Sequence, residues 1–194
     1  ADSDIVTFTA ATNTATVDMG SGGDTVNTNA AVGTSTIRGN DGNDTINIGA
    51  GLRSSWFNGN QGNDTITVAG TMTASSIHGG QGTDTIPSAG LTFNGGRING
   101  NIGDDTISVT LSANMTGTGT NAATINGGQG ADIINTAGAF DAVVSGDIGN
   151  DVLTTAGGAD TLYGGNGQDL IAGGLNIDTM VGGDGVDTFT VLFG

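Results

Sequence analysis

Aspartate is the residue whose type and spacing in this sequence could do chemistry. All 19 acidic residues are Asp, and twelve of them occupy one position of a Gly-rich block that recurs along the chain. Asp tolerates turns and holds a hard carboxylate oxygen close to its own backbone, and hard oxygens are the ligands of Ca²⁺. The pattern therefore predicts a series of cation-binding turns.

The block has six positions. Eight copies keep Gly at positions one and four and Asp at position six, and they end at Asp44, Asp64, Asp84, Asp105, Asp132, Asp151, Asp169 and Asp187. Looser copies end at Asp24, Asp160 and Asp178, and Asp4 ends a partial one. These depart from the pattern at Met19, Thr155 and Asn176, so their occupancy by metal stays open.

The steps between blocks give the length of one structural repeat. Successive Asp lie 20, 20, 20, 20, 21, 27 and 19 residues apart from Asp4 to Asp151, and then 9 apart to Asp187. Two steps of nine nearly equal one earlier step, so one coil of a solenoid takes about 18 to 20 residues. We expect one domain over residues 1–194. Coils 1–151 have a cation turn on one side only, called side A. Coils 151–194 also have one on the opposite side B, at Asp160 and Asp178. The 27-residue step predicts an extra side B loop over residues 112–120.

Two apolar columns support a stack of parallel strands. One column lies two residues after each side A Asp and the other two residues before each block, each apolar residue being flanked by Thr, Asn, Ser or Gly. This is strand alternation. The columns read Val26, Ile46, Ile66, Ile86, Ile107, Ile134, Leu153, Ile171 and Phe189, and Val17, Ile37, Phe57, Ile77, Ile98, Ile125, Val144, Leu162 and Met180. The predicted fold is all-β, a right-handed parallel β-solenoid.

Stacked turns would bring carboxylate and carbonyl oxygens together between coils. Several flexible oxygens suit Ca²⁺ better than Mg²⁺, and we expect roughly 7–9 ions. Without metal, neighbouring Asp at ~5 Å repel by about 0.8 kcal/mol even in water, so metal binding should be coupled to folding. The predicted ligands are the Asp carboxylates with the carbonyls of positions one and three: Gly39, Asp41, Gly59, Gln61, Gly79, Gln81, Gly100, Ile102, Gly127, Gln129, Gly146, Ile148, Gly164, Asn166, Gly182 and Asp184.

The block from Gly164 to Ala172 reads Gly-Gly-Asn-Gly-Gln-Asp-Leu-Ile-Ala. It resembles the nonapeptide Gly-Gly-x-Gly-x-Asp-x-apolar-x of the repeats-in-toxin (RTX) family. The resemblance implies a parallel β-roll with Ca²⁺ between stacked turns, and an extracellular or cell-surface protein exported by the type I route. Members include toxins, proteases, lipases, adhesins and surface-layer proteins. The 20-residue coils with one turn resemble the surface-layer and adhesin solenoids most.

The rest of the composition limits the partners. A net charge of −16 with only three Arg disfavours nucleic acid and anionic membranes. No apolar run approaches the ~18 residues of a membrane span, and no Cys is present for disulfides or thiolate sites. No Ser–His–acid or paired-carboxylate arrangement stands apart from the repeat, so we expect no enzyme. His78 and Trp56 are expected to face outward.

The repeat fills the sequence, which favours a structural role as a subunit of a surface layer, sheath or filament. With no polar cap visible at either end, self-association head-to-tail is expected. The alternative is an RTX secretion and folding segment of a larger toxin, enzyme or adhesin. A minor alternative, an ice-binding solenoid, is suggested by the outward-facing Thr25, Thr45, Thr65, Thr85 and Thr106. Turn position three carries no matching Thr or Asx array, which disfavours it.

Overall fold

The computed structural model describes residues 2–112 and 122–192. In these residues every regular element is a β-strand and no helix occurs. The strands are β1 Ile5–Phe8, β2 Thr16–Asp18, β3 Thr25–Thr28, β4 Val32–Gly33, β5 Thr36–Asp41, β6 Thr45–Ile48, β7 Leu52–Arg53, β8 Trp56–Gln61, β9 Thr65–Gln81, β10 Thr85–Ile102, β11 Thr106–Leu111, β12 Ala123–Gln129, β13 Ile133–Ala139, β14 Ala142–Ile148, β15 Val152–Gly157, β16 Thr161–Asn166, β17 Leu170–Ala172, β18 Thr179–Asp184 and β19 Thr188–Thr190.

Each strand pairs in parallel with the equivalent strand one coil later. β3 pairs with β6 and β6 with β9, so that Val26, Ile46 and Ile66 align. On the other face β5 pairs with β8 and β8 with β9, which aligns Ile37, Phe57 and Ile77. The strands stack as a solenoid of about nine coils. The predicted parallel β-solenoid is confirmed.

The core consists of these columns, and its alternation follows from the pleat. β5 and β8 bury every second side chain, with Ile37 and Phe57 fully inaccessible to solvent. Successive side chains of a strand point to opposite faces, so the intervening Thr and Asn remain at the surface. A buried Ile or Phe contributes about 1.5–3 kcal/mol by leaving water. The two predicted columns are therefore the main source of cohesion between the two faces.

The N-terminal coils contain a third face that the two columns do not reveal. The short strands β4 and β7 pair with each other, and β7 pairs with the middle of β9, at the side B corner. They align Val32, Leu52 and Met72, all of them buried. Because the 18-residue coils after Asp151 have fewer residues, the corner there is a tight turn. The extra two residues of the longer coil build this third column.

The irregular Asp steps are accommodated on side B. The register between β9 and β10 shifts between Ala89 and Thr92, which absorbs the one extra residue of the 21-residue step. Gly90 in that segment has φ of 66°. Apart from Ser112, the predicted loop at 112–120 lies outside the described residues. Its flanks, Ser112 and Ala123, sit in the regular stack.

None of the secondary structure in residues 2–112 and 122–192 is a helix of the length and apolar character needed to cross a bilayer.

The neighbouring Ile133 and Ile134 of β13 test the core assignment. Ile134 is fully buried, whereas Ile133 is 43% exposed. We expect Ile134→Ala to destabilise the calcium-loaded protein by about 2–5 kcal/mol, since it removes a packed side chain and leaves a cavity. Ile133→Ala should change stability by about 0.5 kcal/mol or less. Urea unfolding followed by circular dichroism measures both, and equal losses would contradict the assigned inward face.

Candidate metal centres

The six-residue turns are shaped by left-handed backbone at positions two and four. In the turn from Gly39 to Asp44, Asn40 has φ of 78° and Gly42 has φ of 130°. A φ of 130° disfavours any residue with a Cβ, which explains Gly at position four. Asn and Asp tolerate φ near 80° with little strain, so position two accepts Asn40, Asn60, Asn101 and Asp147.

A continuous ladder of hydrogen bonds runs through the position-six Asp residues of side A. The backbone N–H of Asp44 donates to Oδ1 of Asp64 over 2.7 Å, and that of Asp64 donates to Oδ1 of Asp84 over 2.8 Å. The same bond joins each successive pair from Asp4 to Asp187. Each carboxylate thus fixes the position of the preceding turn as well as its own.

The second carboxylate oxygen has no hydrogen-bond partner. Oδ2 is buried and unpaired in Asp24, Asp44, Asp64, Asp84, Asp105, Asp132, Asp151 and Asp169 on side A. The residues themselves are at most 2% exposed. A buried, unpaired carboxylate oxygen is costly, because its charge has left water without compensation. A repeated arrangement of this kind indicates that a cation or a proton completes it.

These unpaired oxygens lie beside carbonyls of the next turn. A β-carbon placed on Gly39 would collide with Oδ2 of Asp44 and lie 2.8 Å from the carbonyl oxygen of Gly59. The same pair recurs around Gly59, Gly79, Gly100, Gly146 and Gly164. Gly at position one of these six turns is explained by this crowding, because the carboxylate and the carbonyl occupy the space that a β-carbon would fill. Two acceptors in one space repel each other unless a positive charge or a donor lies between them.

The two predicted sets of carbonyls have different surroundings. Position-one carbonyls lie beside the Asp of the preceding turn, as described for Gly59. Position-three carbonyls accept backbone hydrogen bonds: the N–H of Gly42 donates to Gln61 O, and that of Gly62 donates to Gln81 O, each over 2.8 Å. The same holds for Asp41, Ile102, Gln129, Ile148, Asn166 and Asp184. A carbonyl has two lone pairs, so one remains on each of these oxygens.

The donor set fits calcium. All candidate ligands are hard oxygens, and most of them are backbone carbonyls of the turns. Among residues 2–112 and 122–192 no three His, Cys, Asp or Glu side chains are grouped to hold a metal. Each ion would therefore be held by one or two Asp carboxylates with carbonyls of successive turns. Bound there, Ca²⁺ would supply the positive charge that the ladder of buried carboxylates requires.

Burial changes the acidity of the ladder in the metal-free chain. Desolvation raises the pKa of Asp64 and Asp151 to about 6 and that of Asp84, Asp105 and Asp132 to about 7. The accepted backbone hydrogen bond opposes this rise, and a neighbouring carboxylate adds to it. Burial likewise raises the pKa of Asp44 and Asp160. Protons and calcium therefore compete for the same oxygens.

The looser blocks keep the ladder hydrogen bond, although Met19 and Thr155 replace Gly at position one and the Thr155 hydroxyl donates to the Gly173 carbonyl. Asp24 is buried and accepts the N–H of Asp4 over 2.7 Å, although its turn begins with Met19. On side B, the N–H of Ala142 donates to Asp160, and the N–H of Asp160 donates to Asp178 over 2.9 Å. Asn176, in place of the fourth-position Gly, has φ of 84°. The short second ladder therefore has the same hydrogen bonds as the long one, and its metal occupancy stays a prediction.

Serine takes the place of Asp on side B of the N-terminal coils, which the sequence reasoning missed. The N–H of Ser35 donates to Oγ of Ser55 over 3.2 Å, and that of Ser55 donates to Ser75 over 3.1 Å. Each hydroxyl also donates to a carbonyl two residues earlier, as Ser75 does to Thr73. This ladder is neutral and fully paired. The signal was the 20-residue recurrence of Ser35, Ser55 and Ser75, which an alignment on Asp overlooks.

The Thr residues after the side A Asp also stand in register. Thr25, Thr45 and Thr65 align across β3, β6 and β9, and Thr85 and Thr106 continue the row. The next member is Ile133, so the row ends after five coils. It is an outward face of limited length.

Two parts of the chain match a known family of repeats. The model for the RTX calcium-binding nonapeptide repeat (four copies) matches residues 54–70, 124–143, 136–171, 145–180 and 163–194. Residues 54–70 and 124–194 therefore contain RTX calcium-binding repeats. The matches include all of the 18-residue coils after Asp151. Such repeats bind calcium and are typical of secreted proteins. No curated protein and no solved structure gives a significant match to the chain.

The raised pKa values predict how the metal-free solenoid responds to pH. An Asp in the unfolded chain has a pKa of 3.8. At any pH above this value, each ladder Asp with a raised pKa binds more protons in the folded than in the unfolded chain. Folded stability is therefore full below about pH 4 and falls as pH rises through 6 to 7. In calcium-depleted buffer we expect the urea midpoint to be higher at pH 4.5 than at pH 7.5. With saturating calcium the order should reverse, and a midpoint that rises with pH without calcium would contradict the buried ladder.

Substitution of two adjacent Asp residues distinguishes the loss of a metal ligand from the loss of a charge alone. Asp105 is buried in the ladder, whereas Asp104 is exposed and accepts only the N–H of Ala131. Asp105→Asn keeps Oδ1 as an acceptor and places an N–H₂ donor beside the Gly127 carbonyl. It should stabilise the metal-free chain and lower the number of calcium ions bound in calorimetry. Asp104→Asn removes the same charge and should leave the number of ions unchanged; equal effects would exclude the assigned ladder.

Proposed function

We propose that this chain is a calcium-stiffened structural solenoid of an extracellular assembly, acting as a unit of a surface layer, sheath or filament. The observation that carries the proposal is the ladder itself. All nine buried Asp of the described residues accept a backbone N–H from the preceding coil. These carboxylates are thus committed to holding coils together. This supports a mechanical role and not a catalytic one.

The proposed number of ions follows from the intervals between ladder carboxylates. Side A offers eight intervals from Asp24 to Asp187, and side B offers one between Asp160 and Asp178. This supports roughly 7–9 Ca²⁺ per chain. Because each ion brings two positive charges, eight ions balance the net charge of −16. Loading would therefore remove the long-range repulsion between copies, and proteins near zero net charge associate readily.

Apolar side chains of the coils nearest β19 support end-to-end contact. Ile177 is 89% exposed and Val186 is 78% exposed, while Phe189 is 45% exposed. Within the described residues β19 pairs with β17 alone, and its other edge can accept a further strand. An edge strand with apolar neighbours favours the addition of another strand. We propose that a coil of a second copy covers this edge.

A Ca²⁺ titration followed by circular dichroism, light scattering and electron microscopy tests the proposal. We expect β signal to rise with calcium and the particle mass to increase with protein concentration. Ile177→Lys should block the association, whereas Ile133→Lys, at an exposed position of β13 in mid-solenoid, should not. A chain that gains β structure with calcium but stays monomeric at high concentration would refute the assembly and leave the calcium solenoid intact.

The match to RTX repeats over residues 124–194 favours one second candidate. In it the repeats aid type I export and drive folding of a larger toxin, enzyme or adhesin. The two candidates differ in what the calcium-loaded solenoid does alone. A segment that serves export folds with calcium without forming ordered particles, whereas the structural unit forms them.

A further inference from the structure

Every side chain able to carry positive charge lies in one part of this acidic chain. Arg38, Arg53, Arg97 and His78 are the complete set, and Trp56, the sole tryptophan, lies among them. The remaining sequence, from residue 98 onward, has neither Arg nor His. The repeat does not require such a concentration, since equivalent positions in other coils carry Asn, Ser and Thr.

Four of these five side chains share one outer face. Arg38 aligns with Asn58 and His78 in one column, while Trp56 aligns with Ser76 and Arg97 in the next. Arg97 is exposed and Trp56 is half-buried. Arg38 and Arg97 are three coils apart, which is ~14 Å at ~4.8 Å per strand. The face therefore presents two guanidinium groups at a spacing fixed by the solenoid.

A stack of planar side chains orders this face. The Arg38 guanidinium lies 5.3 Å from the centroid of the Trp56 ring, and the Trp56 and His78 rings are 5.7 Å apart with a tilt of 41°. His78 Nδ1 is 3.5 Å from Asn101. Burial lowers the pKa of His78, so the ring is neutral near pH 7 and the Arg residues carry the charge. A guanidinium stacked on an indole loses little freedom on binding and offers a fixed fork of donors.

The existing partner of Arg38 is weak. Its Nη1 lies 3.8 Å from Oδ2 of Asp18, whose side chain is 59% exposed. Exposed ion pairs contribute at most about 1 kcal/mol, so another carboxylate can replace Asp18. The neighbouring Asn58 and Asn99 are half-buried amides of the same column, suited to hydroxyl groups. Each guanidinium thus has an amide near it: Asn58 follows Arg38 by one coil, and Asn99 lies in the same coil as Arg97.

We propose that this face, formed by Arg38, Trp56, His78 and Arg97, binds an acidic polysaccharide through carboxylates of its uronic acid residues. The advance of an extended pyranose chain is close to the strand spacing of ~4.8 Å, so sugars and coils stay in register over several units. A globular protein partner would not share this repeat, which is why a glycan is favoured over one. The inference goes beyond the structural role and does not require the chain to self-assemble. Calcium loading offsets the charge of −16 that would otherwise repel a polyanion.

Trp56 gives a direct readout, since it is the sole tryptophan and lies in the proposed site. The calcium-loaded chain is titrated with a β-1,4-linked oligoglucuronate decasaccharide, which carries a carboxylate on every sugar, and, in parallel, with the same oligosaccharide after reduction of its carboxyl groups. We expect a saturable change in Trp56 emission with the acidic oligosaccharide, and at least tenfold weaker binding of the neutral one. Arg38→Gln and Arg97→Gln should each weaken binding about tenfold, the loss of one charge-assisted pair.

Arg53→Gln is the matched control. It removes the same charge from an exposed position that lines a separate groove with Thr71 and Thr73. Its affinity should stay within about twofold of the parent, and circular dichroism in calcium should show that all three variants fold. If all three variants lost affinity equally, net charge alone would explain the binding, and the proposed site would be overturned. Variants that change the particle mass without changing oligosaccharide affinity would identify a protein contact instead, which also overturns the proposal.

Discussion

The structure depends on the carboxylates of the Asp ladder, each of which is shared between two successive turns. Each ladder Asp uses Oδ1 to hold the backbone of the preceding turn and leaves Oδ2 beside a carbonyl of the following turn. The first interaction stabilises the stack by itself, whereas the second is unfavourable until a cation or proton joins it. Cohesion between coils is therefore conditional. The apolar columns supply affinity between the faces, and the ladder determines under which conditions the coils can come together.

The comparison of the two sides shows what the charge contributes. The Ser35, Ser55 and Ser75 ladder makes the same coil-to-coil hydrogen bond with a neutral hydroxyl and leaves no oxygen unpaired. Hydrogen bonds of this kind could thus join the coils of a solenoid without metal. The use of Asp along the whole of side A has a cost in desolvation that bound calcium would offset. Side B of the first coils does not share this cost, and that corner instead contains the third apolar column at Val32, Leu52 and Met72.

Much of this architecture was predictable from the sequence because the repeat is strict. Asp and Gly recur at fixed steps, so the coil length, the aligned columns and the turn positions follow directly. The pairing of Asp oxygens was not predictable, since the repeat does not say which oxygen bonds to backbone and which stays free. The third face and the Ser ladder were missed because they involve few residues, and short strands such as Val32–Gly33 carry little periodic signal. The stack of Arg38, Trp56 and His78 lies across coils, and only the register brings these side chains together.

The direction of the ladder gives the solenoid a chemical polarity. Every ladder bond runs from an amide of one coil to a carboxylate of the next, and none runs the other way. The strand hydrogen bonds across the same plane run both ways, so this polarity belongs to the Asp ladder alone. Along the ladder, each coil presents an amide to the coil after it and a carboxylate to the coil before it. A coil that follows in the stack must therefore meet the exposed amide with its own Asp, which fixes the direction in which the ladder extends.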